Sequence, residues 1–195
     1  MFDITLTDSL ILEDLSQLIR DCAAGKAKAQ ASLYRLFAPK MFGVCLRYSR
    51  DQTEAEDNLQ EGFIRAFEKM SSFRHEGSFE GWLRRIMVNV SMQKFRKQHQ
   101  LYLIDDMSSF ESVEEPDSPD WNLKATDLMK LVQELPPRYR MVFNLYVFEE
   151  MNHKDIAREL NISEGTSKSN LARARMILKI RVKKELLNNE ENYTA

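Results

Sequence analysis

An all-α fold, with two small helical domains joined by an acidic flexible linker, is predicted by three features of this 195-residue chain. Apolar residues recur at helical spacing through both halves, a carboxylate-rich stretch separates the halves, and the C-terminal third reads as a helix-turn-helix. With 22.9 kDa and 43% hydrophobic residues the chain has enough apolar material for two cores.

The elements follow in order. Leu10 to Cys22 and Ala27 to Tyr48 are apolar at helical spacing and are separated by Gly25; Pro39 should kink or break the second. From Thr53 to Met70, Leu59, Phe63, Ala66, Phe67 and Met70 share a face, which leaves Glu54, Asp57, Gln60 and Glu61 outward as an acidic patch. Residues 71–77 lack periodicity and read as a loop. Ser78 or a neighbour then caps a helix whose inner stripe is Phe79, Trp82, Leu83, Ile86, Met87 and Val90, with Trp82 assigned to the core. The opposite side carries Arg84, Arg85 and Asn89, followed by Lys94, Arg96 and Lys97, with no acidic residue from Gly81 to Ile104.

Between Ile104 and Asp120 the chain carries Asp105, Asp106, Glu111, Glu114, Glu115, Asp117 and Asp120 among serines and prolines, without a basic residue. A segment that repels itself and has no period reads as an extended linker. It serves either as a plain spacer or as an acidic strand that tracks a positive channel on a partner. The expected domains are therefore 9–102 and 122–187, with a linker at 103–121 and a disordered tail at 188–195.

After the linker, Trp121 to Glu134 forms a helix anchored by Leu123, Leu128, Leu131 and Val132. Leu135-Pro136-Pro137 ends it, and Pro137 suits the first turn of the next helix. Arg140 to Glu149 then carries Val142, Phe143, Tyr146 and Val147. Asn152 can open the helix from His153 to Leu160, and Ser163 can cap the last helix, whose apolar period runs through Leu171, Ala174 and Leu178. This C-terminal domain has four helices. Its outward face is expected to present Thr166, Ser167, Lys168, Ser169, Asn170 and Arg173, the geometry of a recognition helix in a major groove. Lys168, Arg173, Arg175, Lys179, Arg181, Lys183 and Lys184 lie between Glu164 and Glu185 with no acid among them, whereas a merely solvated face alternates its charges.

The whole chain has net charge -2 and a pI of about 6.0, so nucleic-acid binding must come from local patches. Two basic patches on a molecule of near-neutral charge suit a protein that holds two DNA segments, or one DNA and one large partner. Cys22 and Cys45 are set among helical apolar residues and read as buried thiols. The three histidines lack partners at ligand spacing, so no metal site is expected. No Walker, GxSxG or paired-carboxylate pattern argues for catalysis, a cofactor or a small-molecule substrate. The acidic N-terminus and the lack of a long apolar run make a cytoplasmic location the expectation.

The run from Glu54 to Phe67, then Phe73-Arg74, then Trp82-Leu83-Arg84-Arg85-Ile86-Met87-Val88-Asn89, resembles the second conserved region of bacterial extracytoplasmic-function sigma factors. Leu135-Pro136 ahead of the helix-turn-helix, with Ser163-Glu164-Gly165-Thr166 opening its second helix, resembles their fourth region. The resemblance implies a non-enzymatic, dissociable promoter-recognition subunit whose partners are core RNA polymerase and promoter DNA. It also implies an anti-sigma factor, often membrane-bound, that sequesters the two domains. Asp57, Gln60 and Glu61 match the contact to core polymerase. Lys168, Ser169, Ala172 and Arg173, with Thr166 and Ser167 near the backbone, match the readers of the upstream element near minus thirty-five. Ser167 stands where an aliphatic residue is frequent and Asn170 where a basic one is. For the downstream element near minus ten, read as a melted strand, the loop from Phe73 to Phe79, including His75, and the face bearing Asn89 match the base pocket. Arg84, Arg85, Lys94 and Arg96 would hold phosphates there. The alternative is an autonomous helix-turn-helix regulator that binds duplex DNA without polymerase, and a third reading is a helical adaptor with no DNA role.

Overall fold

The computed structural model describes the backbone of residues 4–99 and 125–193 and the side chains of residues 14–97 and 127–186. The expected linker at 103–121 lies outside the described residues. Among the described residues the secondary structure is helical throughout: α1 (Ile4–Ala23), α2 (Ala27–Tyr48), α3 (Gln52–Glu68), a single 3-10 turn (Met70–Ser72), α4 (Phe79–His99), α5 (Ala125–Gln133), α6 (Pro137–Val147), α7 (His153–Leu160) and α8 (Glu164–Tyr193). They form two compact units, one of residues up to 45 with 53–90, the other of residues 46–52 with those from 91 onward.

In the first unit, Leu33, Phe37, Met41 and Val44 of α2 are buried with Leu59, Phe63 and Ala66 of α3 and Phe79, Leu83, Met87 and Val90 of α4. Each such side chain contributes about 1.5–3 kcal/mol when removed from water. That gain explains Pro39, where a kink or a break was expected: the residue lies inside α2 and does not end it. Proline there removes one hydrogen bond and costs about 3 kcal/mol in an isolated helix. Pro39 and Arg35, one turn before it, are both exposed, so water can satisfy the freed Arg35 carbonyl while the buried side holds the helix on the core. Phe37 meets the Phe79 ring at 5.3 Å, and the Lys40 ammonium pairs with Glu80 at 2.6 Å, tying α2 to the start of α4. Ser78 caps α4, its hydroxyl accepting from the Gly81 N–H at 3.0 Å. Trp82 is half-buried rather than core, one flank on Phe79 at 5.4 Å and Phe73 at 5.5 Å.

The second unit is organised by α8, which packs on α5, α6 and α7. Leu131, Val132 and Leu135 close on Ala174, Leu178 and Val182, with Tyr139 and Phe143 at the margin. In α6 the inner stripe is Met141, Val142 and Leu145. Tyr146 and Val147 are exposed, because the helix is phased by the residues that face α8. Pro137 takes the first position of α6, where its missing N–H costs nothing. The tail expected at 188–195 is largely helical, since α8 continues to Tyr193.

Candidate nucleic-acid interface

The helix-turn-helix is built by three short polar side chains. Asn152 accepts from the Asp155 N–H at 2.9 Å and caps α7, where its amide also donates to the Asp155 carboxylate at 2.7 Å. Asn161 ends α7 in the left-handed conformation, φ 55° and ψ 48°, which asparagine tolerates better than most residues. The chain then closes with Ile162 N–H on the Ala157 carbonyl at 3.0 Å. Ser163 accepts from the Thr166 N–H at 2.9 Å, and its hydroxyl pairs with that of Thr166 at 2.8 Å.

These caps fix which residues of α8 face outward. Thr166, Lys168 and Ser169 are exposed, and Ala172 and Arg173 are half-buried on the adjoining turn. Ser167 and Asn170 correct the expected outward set. They retain 0% and 7% exposure because residues 167, 170, 171, 174 and 178 share the helical phase that packs inward. Ser167 Oγ is bonded to His153 Nδ1 at 2.9 Å. The Arg173 guanidinium donates to the Tyr139 hydroxyl at 3.2 Å, so it is held along the helix surface. Lys168 pairs with Glu164 at 2.9 Å, and this ammonium holds the Glu164 carboxyl below its ordinary range.

His153, Tyr146 and Tyr139 support this helix from behind, a role expected of none of them from the sequence. The available signal was the pair Ser167 and Asn170, polar residues in an otherwise apolar register, since a buried polar side chain requires a partner.

In the first unit, Phe73, His75, Phe79 and Trp82 gather into one aromatic cluster. The Phe73 ring lies 4.7 Å from His75 and 5.3 Å from Phe79. His75 has φ 58° and Gly77 φ 96°, so the loop reverses sharply and leaves the imidazole exposed. Phe79, 4% exposed, is the floor of the cluster and not a free wall. Arg85 and Asn89 are exposed one turn apart on α4, and Arg84 is half-buried. Lys94 and Arg96 are half-buried in the second unit, where Arg96 donates to the Glu159 carbonyl at 2.9 Å.

On α3, Asp57, Gln60 and Glu61 share a face at the i, i+3, i+4 spacing. Asp57 and Gln60 are exposed, whereas Glu61 accepts from Arg65 Nε at 2.7 Å. Among the described residues, no group of three or more His, Cys, Asp or Glu side chains could hold a metal ion. No described helix is long and apolar enough to cross a membrane.

A capped, basic recognition helix on a four-helix unit defines a helix-turn-helix DNA-binding protein. Residues 33–100 match the family model "Sigma-70 region 2", and residues 125–178 match "Sigma-70, region 4". The chain is 31% identical over 150 residues to the ECF RNA polymerase sigma factor SigM of Bacillus subtilis, covering 75% of this chain and 91% of that one. It is 29% identical over 177 residues to the ECF RNA polymerase sigma factor SigW of the same organism, covering 85% and 95%. A crystallised sigma factor RpoE from Bartonella quintana, in complex with the anti-sigma factor NepR, is 25% identical, with a TM-score of 0.46 over 79% of this chain and 96% of that one. The chain belongs to the extracytoplasmic-function sigma factors of RNA polymerase. It is a DNA-binding transcription initiation factor, and the polymerase-independent regulator is set aside.

Proposed function

We propose that this chain divides promoter recognition between two domains, 9–102 and 122–187, with residues 103–121 as the tether, while core RNA polymerase holds both in register. The observation that carries this reading is α8. Its capped first turns expose Thr166, Lys168 and Ser169, and no acidic residue occurs from Gly165 to Lys184. A helix N-terminus with exposed polar side chains and a basic continuation suits a major groove flanked by phosphates. Lys168, Ser169 and Ala172 read the upstream element there, with Thr166 and Arg173 near the backbone; the inward Ser167 and Asn170 make no base contact.

The downstream element is taken as a melted strand. Phe73 and His75 offer a stacking surface, with Phe79 beneath them, and Asn89 can hydrogen-bond a base edge. Arg84, Arg85 and Lys94 hold phosphates; Arg96 is engaged with Glu159. Stacking contributes about 1–3 kcal/mol per base, the same order as the few kcal/mol needed to unstack one. Asp57, Gln60 and Glu61 present carboxylate and amide groups to a basic surface of core polymerase, where charge complementarity sets register and association rate. The protein acts in the cytoplasm, without an activity of its own on small molecules, and an anti-sigma factor that covers these faces would silence it.

The test is reconstitution with bacterial core polymerase and transcription of fragmented genomic DNA. New, discrete starts that need both components are expected. Lys168→Ala should weaken upstream-element recognition, and Asn89→Ala should impair opening with closed binding nearly intact. Loss of the same step in both variants would overturn the division of labour.

A further inference from the structure

The hydroxyl of Ser167 is fully buried beneath the turn of α8 that exposes Lys168 and Ser169. A buried hydroxyl needs a partner, and Ser167 finds it 14 residues earlier in His153, the first residue of α7, at 2.9 Å. The imidazole is itself held from behind, since it stacks on the Tyr146 ring of α6 at 4.8 Å and an interplanar angle of 24°. The Arg175 guanidinium lies 5.6 Å from the centroid of that same ring.

Arg175 and Ser167 both belong to α8, about two turns apart. The contacts therefore form a closed circuit, from α8 through Tyr146 of α6 and His153 of α7 back to α8. A helix gripped at two points two turns apart is restrained both along its axis and about it. An aliphatic side chain at 167 would fill the same space with contacts that tolerate small rotations, whereas a hydrogen bond is directional.

We propose that His153 is a positioning residue for promoter reading: through Ser167 it sets the rotation and depth at which Lys168 and Ser169 meet the upstream element. This rests on the reading of α8 as the upstream-element helix. The groups facing the imidazole are Tyr146, Glu164, Lys168 and Arg175, with Asn152 and Glu150 at the rim of the adjoining cavity of about 410 Å³. Burial, Lys168 and Arg175 push the ring below its usual range and Glu164 draws it back, so Ser167 is bonded to a neutral ring at neutral pH.

The experiment measures holoenzyme binding to promoter fragments that carry each single-base variant of the upstream element. Wild type is compared with Ser167→Thr, Ser167→Val, His153→Phe and Lys168→Ala, and folding of each is followed by thermal melting. His153→Phe keeps the ring stack and loses the nitrogen; Ser167→Val has the shape of Ser167→Thr and loses the hydroxyl. Both are expected to lower discrimination between bases about five-fold, the size of one neutral hydrogen bond, while Ser167→Thr retains it. Unchanged discrimination in folded Ser167→Val or His153→Phe, with Lys168→Ala still impaired, overturns the positioning role and leaves the reading of α8 standing. If Lys168→Ala also binds every variant as wild type does, the reading of α8 fails and the inference with it.

Discussion

Gly62 of α3 lies directly against the side chain of Met87 of α4: a Cβ added to Gly62 would stand 2.0 Å from the Met87 sulfur and 2.8 Å from its terminal methyl. Met87 is fully buried, so although its end is flexible it has no open space to swing into. The contact lets α3 and α4 approach closely, and it sets the acidic face of α3 relative to the Arg85–Asn89 face of α4 within one rigid unit.

Gly62→Ala should therefore destabilise the protein by about 1 kcal/mol, because overpacking at about 1–3 kcal/mol exceeds the roughly 1 kcal/mol gained in helix propensity. Shortening the opposing side chain should reverse the sign. In a Met87→Val background the same alanine is expected to be neutral or stabilising, and a double-mutant cycle by chemical denaturation measures that coupling.

Leu178 is fully buried and packed with Leu131, Val132, Leu135, Ala174 and Val182. Leu178→Ala should cost about 2–5 kcal/mol, since a cavity at the meeting point of α5 and α8 cannot be refilled from the surface. Calorimetry should show the loss in the transition of the C-terminal unit.

His153 carries a pH dependence of definite sign. Its folded-state value lies below the ordinary 6.5, with burial the largest cause and Lys168 and Arg175 adding to it. The unfolded chain thus binds more protons in the window just below 6.5. The stability contributed by the neutral ring is complete above that value and is lost as pH falls through the folded-state value. A proton NMR titration of the ring should give a midpoint below 6.5, moving up in Lys168→Ala and down in Glu164→Gln.

On the proposed reading of α8, Glu164 competes with DNA for Lys168. The pair is exposed at 2.9 Å, so Glu164→Gln should leave the melting temperature nearly unchanged. The same change frees the ammonium and removes a negative charge beside the groove, so affinity for an upstream-element duplex should rise, most clearly at low salt. Equal affinities for the two proteins across salt concentrations would place Lys168 away from the DNA.

Much of the fold is local and was therefore legible. Ser78, Asn152 and Ser163 cap the helices they were expected to cap, because a side-chain oxygen reaching an N–H three residues on needs nothing beyond its own turn. The apolar period of α3 and α4 marked their buried faces for the same reason. Of the kink or break expected at Pro39 the break does not occur, because the proline's cost is local but the burial that outweighs it comes from α3 and α4. Trp82 was assigned to the core on residue type, and only the packing of its neighbours shows that it keeps a side exposed.

The site divides along the same line. From the sequence alone came the family, the all-helical class, the helix-turn-helix and the position of its basic helix, since spacing and charge are properties of the chain itself. Tertiary structure alone decided which side chains of that helix face outward. It turned Ser167 inward to His153, buried Asn170 and laid Arg173 along Tyr139. The period of α8 placed those residues on a face, but the partners that make a polar side chain stable inside come from α6 and α7, and helix spacing carries no information about contacts between helices.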